Sequence, residues 1–317
     1  MSAPAVLLIA LAIDVILGDP PRLYRLMPHP VAAIGKLIAA LERRWNDLDR
    51  ADSSRVRRGI VLAVLMTGLA LGFGWAAAFG LDLLDWGWIV EAALVSSLIA
   101  FRGLDDHVRA VAVGLDAGLD AGRAAVGHVV GRDPDSLDRA GVARAAIESL
   151  AENFADGTVA PVFWFLVLGL PGLFAYKAIN TMDSMIGHTS PRYAAFGRAA
   201  ARLDDVVNWI PARLAAVLVT MAALINPGAH GRGAWRCALR DAPRHRSPNA
   251  GWPEAALAGA LGLAIAGPRR YGGQMVADAW MGDGDSRATA GDIRRALRLY
   301  RTAGAGLAAL LAGGLVL

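Results

Sequence analysis

The 317-residue chain contains a single cysteine, Cys237. One thiol excludes an internal disulfide and any zinc site built from cysteines, and suits a working face in a reducing compartment. Lysine is almost as scarce: Lys36 and Lys177 are the only two among 32 basic residues. The chain lacks G-x-x-x-x-G-K-[ST], a G-x-G-x-x-G following a strand, H-E-x-x-H and a G-x-S-x-G elbow. A nucleotide, if one binds, takes an unorthodox site. No run alternates apolar and polar residues long enough to predict strands, and there is no internal repeat or low-complexity tract. The N-terminus has no basic region ahead of its apolar run, Asp14 interrupts that run, and no small-x-small site precedes Gly18-Asp19-Pro20. It reads as a retained membrane segment rather than a signal peptide.

What is abundant is apolar surface. Hydrophobic residues make up 55% of the chain and mean hydropathy is +0.41, well above a soluble domain. Apolar runs lie near 3–18, 60–81, 86–101, 158–175, 210–226, 255–267 and 302–317. A full helical span takes about 20 apolar residues, so only 60–81 is comfortable alone. The others are short or interrupted, by Asp14, Glu91, Pro161 or Pro171. The expected fold is all-α, a polytopic integral membrane helical protein of one domain over 1–317, with short, broken or re-entrant segments. A soluble Ala/Leu-rich helical protein is the plainer alternative. Basic residues crowd 19–58, 102–157 and 268–301 and are missing from 82–87, where Asp82 and Asp85 stand beside Trp86 and Trp88. The positive-inside rule puts 82–87 outside and 19–58 and 102–157 in the cytoplasm. Strict alternation beyond 157 would export an arginine-rich loop, so some later segments are expected to enter and leave on one side. Leu170-Pro171-Gly172 would turn such a hairpin, since broken backbone is tolerated at membrane depth where protein buries it.

Three polar clusters sit against these runs. In 148–156, Glu148 and Glu152 are one helical turn apart, with Asn153 and Asp156 following. Carboxylates sharing a helix face repel each other, and a cation between them relieves the strain; a solvated acidic face is the alternative. In 176–188, Lys177, Asn180, Asp183 and Ser184 share one helical face, while Ala178, Ile179, Met182, Met185 and Ile186 form the other. In so arginine-rich a chain a retained lysine points to a compact charge on phosphate, or else to a salt bridge with a nearby Asp. In 204–208, Asp204 and Asn208 are one turn apart beside Asp205, between Arg202 and Arg213; such oxygens near arginines suit magnesium bridging phosphate. His29 stands between prolines in extended backbone and is equally a structural or a substrate-facing histidine. Asp14, inside an apolar run, is a functional candidate. Ser247-Pro248-Asn249-Ala250-Gly251 either presents polar groups to a ligand or caps the helix that follows.

The strings D-V-I-L-G-D-P…H-P-V-A-A-I-G at 14–35, E-S-L-A-E-N-F-A-D-G at 148–157 and Y-K-A-I-N-T-M-D-S-M-I-G at 176–187 carry a resemblance. F-G-R-A-A-A-R-L-D-D-V-V-N-W-I-P-A-R-L at 196–214 and S-P-N-A-G-W-P-E-A-A-L-A-G at 247–259 extend it almost end to end. Together they resemble the CobD/CbiB family of cobalamin biosynthesis, the adenosylcobinamide-phosphate synthases; His188 departs from the tyrosine expected there.

The resemblance implies an inner-membrane, multi-pass ligase with its site facing the cytoplasm. It would join (R)-1-amino-2-propanol or its O-phosphate to the ring-D propionate of adenosylcobyric acid, using ATP and Mg2+. On this reading Lys177, Asp183 and Glu152 are catalytic. His29, Asn153, Asn180, Ser184, Asn208, Arg213, Ser247 and Asn249 bind substrate, and Asp156, Asp204 and Asp205 hold the metal, the clusters at 148–156 and 204–208 being expected to converge. The expected partners are the corrinoid, the amino alcohol and membrane lipid, with no nucleic acid, in a homo-oligomer or a complex with later corrinoid enzymes. Two alternatives come from other classes. One is a non-catalytic relative similar to AmpE-type membrane sensors, which would not need Lys177, Asp183, Asp204, Asp205 and Asn208 together. The other is a membrane alcohol phosphotransferase, whose longer aspartate-glycine-arginine pattern is missing.

Overall fold

The computed structural model describes residues 1–18, 29–130, 134–271, 274–276 and 278–315. Asp19, named above, lies outside the described residues. Helices dominate: α1 Ala3–Leu17, α2 Pro30–Trp45, α3 Asp52–Asp82, α4 Gly87–Ser96, α5 Phe101–Ala117, α6 Leu119–Val126 and α7 Arg139–Phe154. A π-helical turn, Ala155–Val159, leads into α8 Ala160–Ile186, followed by α9 Arg198–Val207, α10 Trp209–Ile225, α11 Gly231–Asp241, α12 Gly251–Leu261 and α13 Ala290–Gly313. Two antiparallel pairs of very short strands interrupt the helices, Ile265–Ala266 with Trp280–Met281 and Arg269–Tyr271 with Gln274–Val276. Two or three residues are too few to show a period of two, which is why no strand was legible. The Ala/Gly-rich stretch 116–127, which reads from the sequence as one amphipathic helix, is broken at Gly118 between α5 and α6.

Three helical stretches are long and apolar enough to cross a membrane: Asp52–Asp82, Gly87–Ala117 and Arg139–Ile186. On α3, Ile60, Val61, Val64, Leu69, Phe73, Trp75 and Phe79 are all exposed. So continuous an apolar exterior is unfavourable in water and fits lipid. The chain folds as two compact units, each built from separated segments. The first takes Met1–Ala100, Ala160–Asn208 and Gly314 with Leu315; the second takes Phe101–Val159 and Trp209–Gly313.

In the first unit α8 is not one rod. Gly169 adopts φ 64°, ψ −151°, a conformation open to glycine, and Pro171 two residues on cannot donate to a continuing helix. A Cβ on Gly172 would stand 2.5 Å from the Trp164 carbonyl oxygen, whereas eight residues of straight helix cover about 12 Å. The chain therefore doubles back at 169–172, as Leu170-Pro171-Gly172 led us to expect, with the break one residue earlier. Both arms reach the same place, since Trp164 Nε1 donates to Val207 O (3.1 Å) and the Tyr176 hydroxyl to Asn208 Oδ1 (3.1 Å).

The second arm runs along α3. At one end a Cβ on Gly74 would meet Pro171 Cα at 2.6 Å; at the other a Cβ on Gly59 would overlap Phe196 O, and one on Gly197 would overlap Ile186 O. Gly59 to Gly74 and Pro171 to Ile186 are equal lengths of chain, about 22 Å of helix each, so the arm lies antiparallel to α3. Its apolar face, Ile179, Met182 and Ile186, packs with Leu62, Ala63, Met66 and Ile38. That assigns Lys177, Asn180, Asp183 and Ser184 to the face turned from α3. The loop after the arm is pinned: Arg55 Nη2 donates to Pro191 O (3.2 Å), Asn46 Nδ2 to Arg192 O (2.9 Å), and Arg192 to both oxygens of Glu42 (3.0 and 3.1 Å).

In the second unit, α10 packs on α12, α13 and the π-helical turn, and α13 packs on α5 and α7. Tyr300 stacks on Phe101 (4.4 Å) and meets Phe154 edge-on (5.3 Å). Arg301 grips Asp105 through Nε (2.7 Å) and Nη2 (2.9 Å).

Candidate functional site

The face of the second α8 arm meets α9 through a chain of polar contacts. Asn180 Nδ2 donates to Asp204 Oδ1 (3.4 Å) and Asn208 Nδ2 to Asp204 Oδ2 (3.0 Å), while Asn208 Oδ1 accepts from Tyr176. Asn208 is buried, and so is Lys177, at 8% exposure one helical turn before Asn180 and Thr181. The clusters at 176–188 and 204–208 thus form one constellation. Ser184, at its outer edge, is exposed and its hydroxyl turns back to Asn180 O (2.9 Å).

Asp204 and Asp205 stand on α9, which together with α10 is long and apolar enough to form one bent span. Asp183 falls in the last turn of α8 and Asp204 in the last turn of α9, where the helix dipole disfavours negative charge. A further constraint is Gly187: a Cβ there would overlap Asp183 Oδ1, so the missing side chain leaves room for that carboxylate.

The other candidates divide as follows. His29 is the N-cap of α2, its Nδ1 accepting from Val31 N (3.2 Å) with Pro30 as the first helical residue. In the second unit, Glu152 and Asn153 are exposed on α7, and Asn153 Nδ2 donates to Ser149 O (2.9 Å) and Oγ (3.0 Å). Glu148 plays a structural part, because its Oε1 accepts from the backbone N of Ala266 (2.9 Å), a non-glycine residue at φ 59°. Asp156 is half-buried within the π-helical turn. Ser247 Oγ accepts from Asn249 N and Ala250 N (3.2 Å each) in the turn that precedes α12. Asn249 Oδ1 accepts from Arg213 Nη1 (3.3 Å). Among the described residues no group of three or more His, Cys, Asp or Glu is placed to hold a metal ion. What the first unit offers a cation is the two acids Asp183 and Asp204, the amides of Asn180 and Asn208 turning Nδ2 toward Asp204. That fits magnesium, which commonly uses one or two carboxylates and keeps several waters.

Sequence reasoning passed over Tyr176, whose hydroxyl ties the α8 arm to Asn208, although it directly precedes Lys177 in the quoted string. It also missed the π-helical turn, a feature frequent at functional sites. Thr158 within that turn is fully buried, and among the described residues its hydroxyl has no hydrogen-bond partner. The only outward trace is Gly157 between two polar residues.

A family model described as "CobD/Cbib protein" matches residues 7–300. A "Cobalamin biosynthesis protein CobD" from Sinorhizobium sp is 50% identical over 299 residues, 93% of this chain and 93% of the relative. Its counterpart from Brucella suis is 52% identical over 302 residues, 93% and 91% of the two chains. The one from Rhodobacter capsulatus is 46% identical over 308 residues, 97% and 96% of the two. No solved structure matches the chain.

Proposed function

Because this chain is a cobalamin-biosynthesis protein of the CobD/CbiB family, we propose that it is an ATP-dependent amide-forming ligase. It joins (R)-1-amino-2-propanol or its O-phosphate to the ring-D propionate of adenosylcobyric acid, at the cytoplasmic face of the inner membrane. The observation that carries the reading is the constellation of Lys177, Asn180, Asp183, Asp204 and Asn208, in which Lys177 and Asn208 are buried and the other three half-buried. A membrane protein without catalytic or binding work has little reason to bury an ammonium on the helix face that also carries Asn180 and Asp183.

The chemistry asks for such a set. A carboxylate resists amine attack until it is activated. Here a propionate oxygen attacks the γ-phosphorus of ATP, and the bond to the β,γ-bridging oxygen breaks, releasing ADP. The amine nitrogen then attacks the acyl carbon, phosphate leaves with the C–O bond electrons, and the nitrogen gives up a proton as the amide forms. Lys177 would hold a transferring phosphate oxygen as a compact cation. Asp183 and Asp204 would hold magnesium, with Asp205 next to them, and the metal when bound supplies charge neutralisation on the phosphates. Asn180 and Asn208 orient Asp204, and Tyr176 orients Asn208. Glu152 and Asp156 stay in the proposal as a catalytic and a metal-binding candidate.

The test supplies purified membranes with cobyric acid, ATP, Mg2+ and either amino alcohol or its phosphate, and reads the amide by mass spectrometry. ATP-dependent amide that disappears in Asp204→Ala membranes is the expected result. No amide from either amine, with the protein intact in the membrane, would overturn the reading.

A further inference from the structure

The lipid-facing side of α3, in the first unit, ends in arginines that nothing in the chain neutralises. Arg57 precedes Val61, Val64, Trp75 and Phe79 at offsets that put all five on one helical face. That face is the exposed one, while Arg55, Leu62, Met66 and Gly74 on the opposite side are buried. From Ile60 to Phe79 the exposed apolar stretch makes about 29 Å of helix, the thickness of a bilayer's hydrocarbon core. Arg57 therefore stands one turn outside that core, at the depth of the headgroup phosphates. A long arginine side chain reaches them while its stem stays on apolar surface. The other end of α3 offers no counterpart: between Arg58 and Arg102 the chain has no basic residue, and Asp82 and Asp85 stand there instead.

Arg57 does not stand alone. Arg58 Nη1 donates to Trp45 O (3.3 Å) and Arg55 Nε to Asn46 Oδ1 (3.1 Å). These bonds bring the last turn of α2, which carries Arg43 and Arg44, to the first turns of α3. Arg43, Arg44 and Arg57 are exposed, and among the described residues none of their side chains has an ion pair or a hydrogen bond. The acids nearby are already taken, Glu42 by Arg192 (2.9 Å), Asp47 by Arg50 (3.2 Å) and Asp52 by Arg55 (3.2 Å). Asp49 is left against three guanidinium groups.

Cations in excess at the rim of a lipid-facing helix attract anions at the same depth, and the bilayer supplies phosphates there. A phosphatidylcholine headgroup carries its own cation and leaves the excess charge standing; a phosphatidylglycerol headgroup cancels part of it. We propose that the α2–α3 corner is a docking site for anionic phospholipid. Arg57 takes the headgroup phosphate, Arg43 and Arg44 add charge from α2, and the acyl chains lie along Val61 and Val64. The site stands apart from the ligase reading and does not depend on it.

Native mass spectrometry of the full chain released from neutral detergent resolves single bound lipids and tests the proposal without turnover. Wild type should take its first phosphatidylglycerol about 10-fold more tightly than its first phosphatidylcholine, each near-surface arginine contributing up to about 5-fold. Arg57→Gln should weaken phosphatidylglycerol about 5-fold, and the triple change of Arg43, Arg44 and Arg57 to Gln should erase the preference. Phosphatidylcholine binding should be unchanged in both. Arg57→Lys, a point charge at the same depth, should keep most of the preference. Arg287→Gln, which removes an arginine already paired with Asp285 (3.1 Å), should alter it less than about 2-fold. Unfolding temperatures check that the variants fold. The site is overturned if wild type binds the two lipids equally, or if the folded triple variant keeps the preference. It is also overturned if Arg287→Gln costs as much as Arg57→Gln, which would make the preference a matter of total charge. Displacement of the lipid by millimolar inorganic phosphate would overturn it too, by giving the arginines to a soluble anion.

Discussion

Lys177 is 8% exposed, and removing an ammonium from water costs several kcal/mol before its contacts are counted. Lys177→Ala should therefore leave a folded protein and lower turnover about 100- to 1000-fold, the usual loss when a group stabilising developing charge is removed. Lys177→Arg should recover only part of it, because a planar fork replaces a point charge. Near-normal turnover of the alanine variant at limiting ATP would make the lysine structural. The polar face of the 176–188 helix was legible because i, i+3 and i+7 spacing survives folding; its link to 204–208 was not, since the convergence expected from the sequence paired 204–208 with 148–156. Tyr176 and Gly187 were not, since their roles arise from contacts rather than from periodicity.

At the scale of elements, α3 contains two glycines with opposite expected behaviour. Gly74 is the contact for the hairpin tip, where an added Cβ would meet Pro171 Cα at 2.6 Å and Leu170 O at 2.8 Å, both backbone. Gly72, two residues earlier, has nothing within 4 Å of the same position. Helix propensity favours alanine at both by about 1 kcal/mol. Gly72→Ala should accordingly be neutral or slightly stabilising, whereas Gly74→Ala should destabilise by about 1–3 kcal/mol as the tip is pushed off. Equal unfolding temperatures for the two variants would mean that the hairpin does not seat on α3. Most helices could be read from apolar runs, and the turn at 169–172 from Pro171 with its glycines. The π-helical turn could not, because one extra residue in a turn leaves almost no mark on hydrophobic spacing. Glu148 shows the converse failure: its spacing to Glu152 resembles a ligand pair, yet it serves the backbone N–H of Ala266.

At the scale of the molecule, the interleaving of segments from both halves of the chain into two units leaves no trace in composition. Sidedness does, and within the first unit it can be derived from α3. Its 31 residues make about 46 Å of helix, enough to cross. Arg55, Arg57 and Arg58 mark one end, while Asp82, Asp85, Trp86 and Trp88 cluster at the other. Arg55 also holds the carbonyl of Pro191, which fixes the exposed Ser190 loop near the basic end. With basic ends retained in the cytoplasm, Ser190 and Asp85 should lie on opposite sides, Ser190 inside. The single native thiol, Cys237, is buried, so labelling background is low. In intact spheroplasts a membrane-impermeant maleimide should modify Asp85→Cys and spare Ser190→Cys, and inverted vesicles should reverse the pattern. Modification of both from the same side would mean that α3 does not cross. The Lys177 and Asp183 face of α8, which ends at this loop, would then have no assigned side from which to meet ATP.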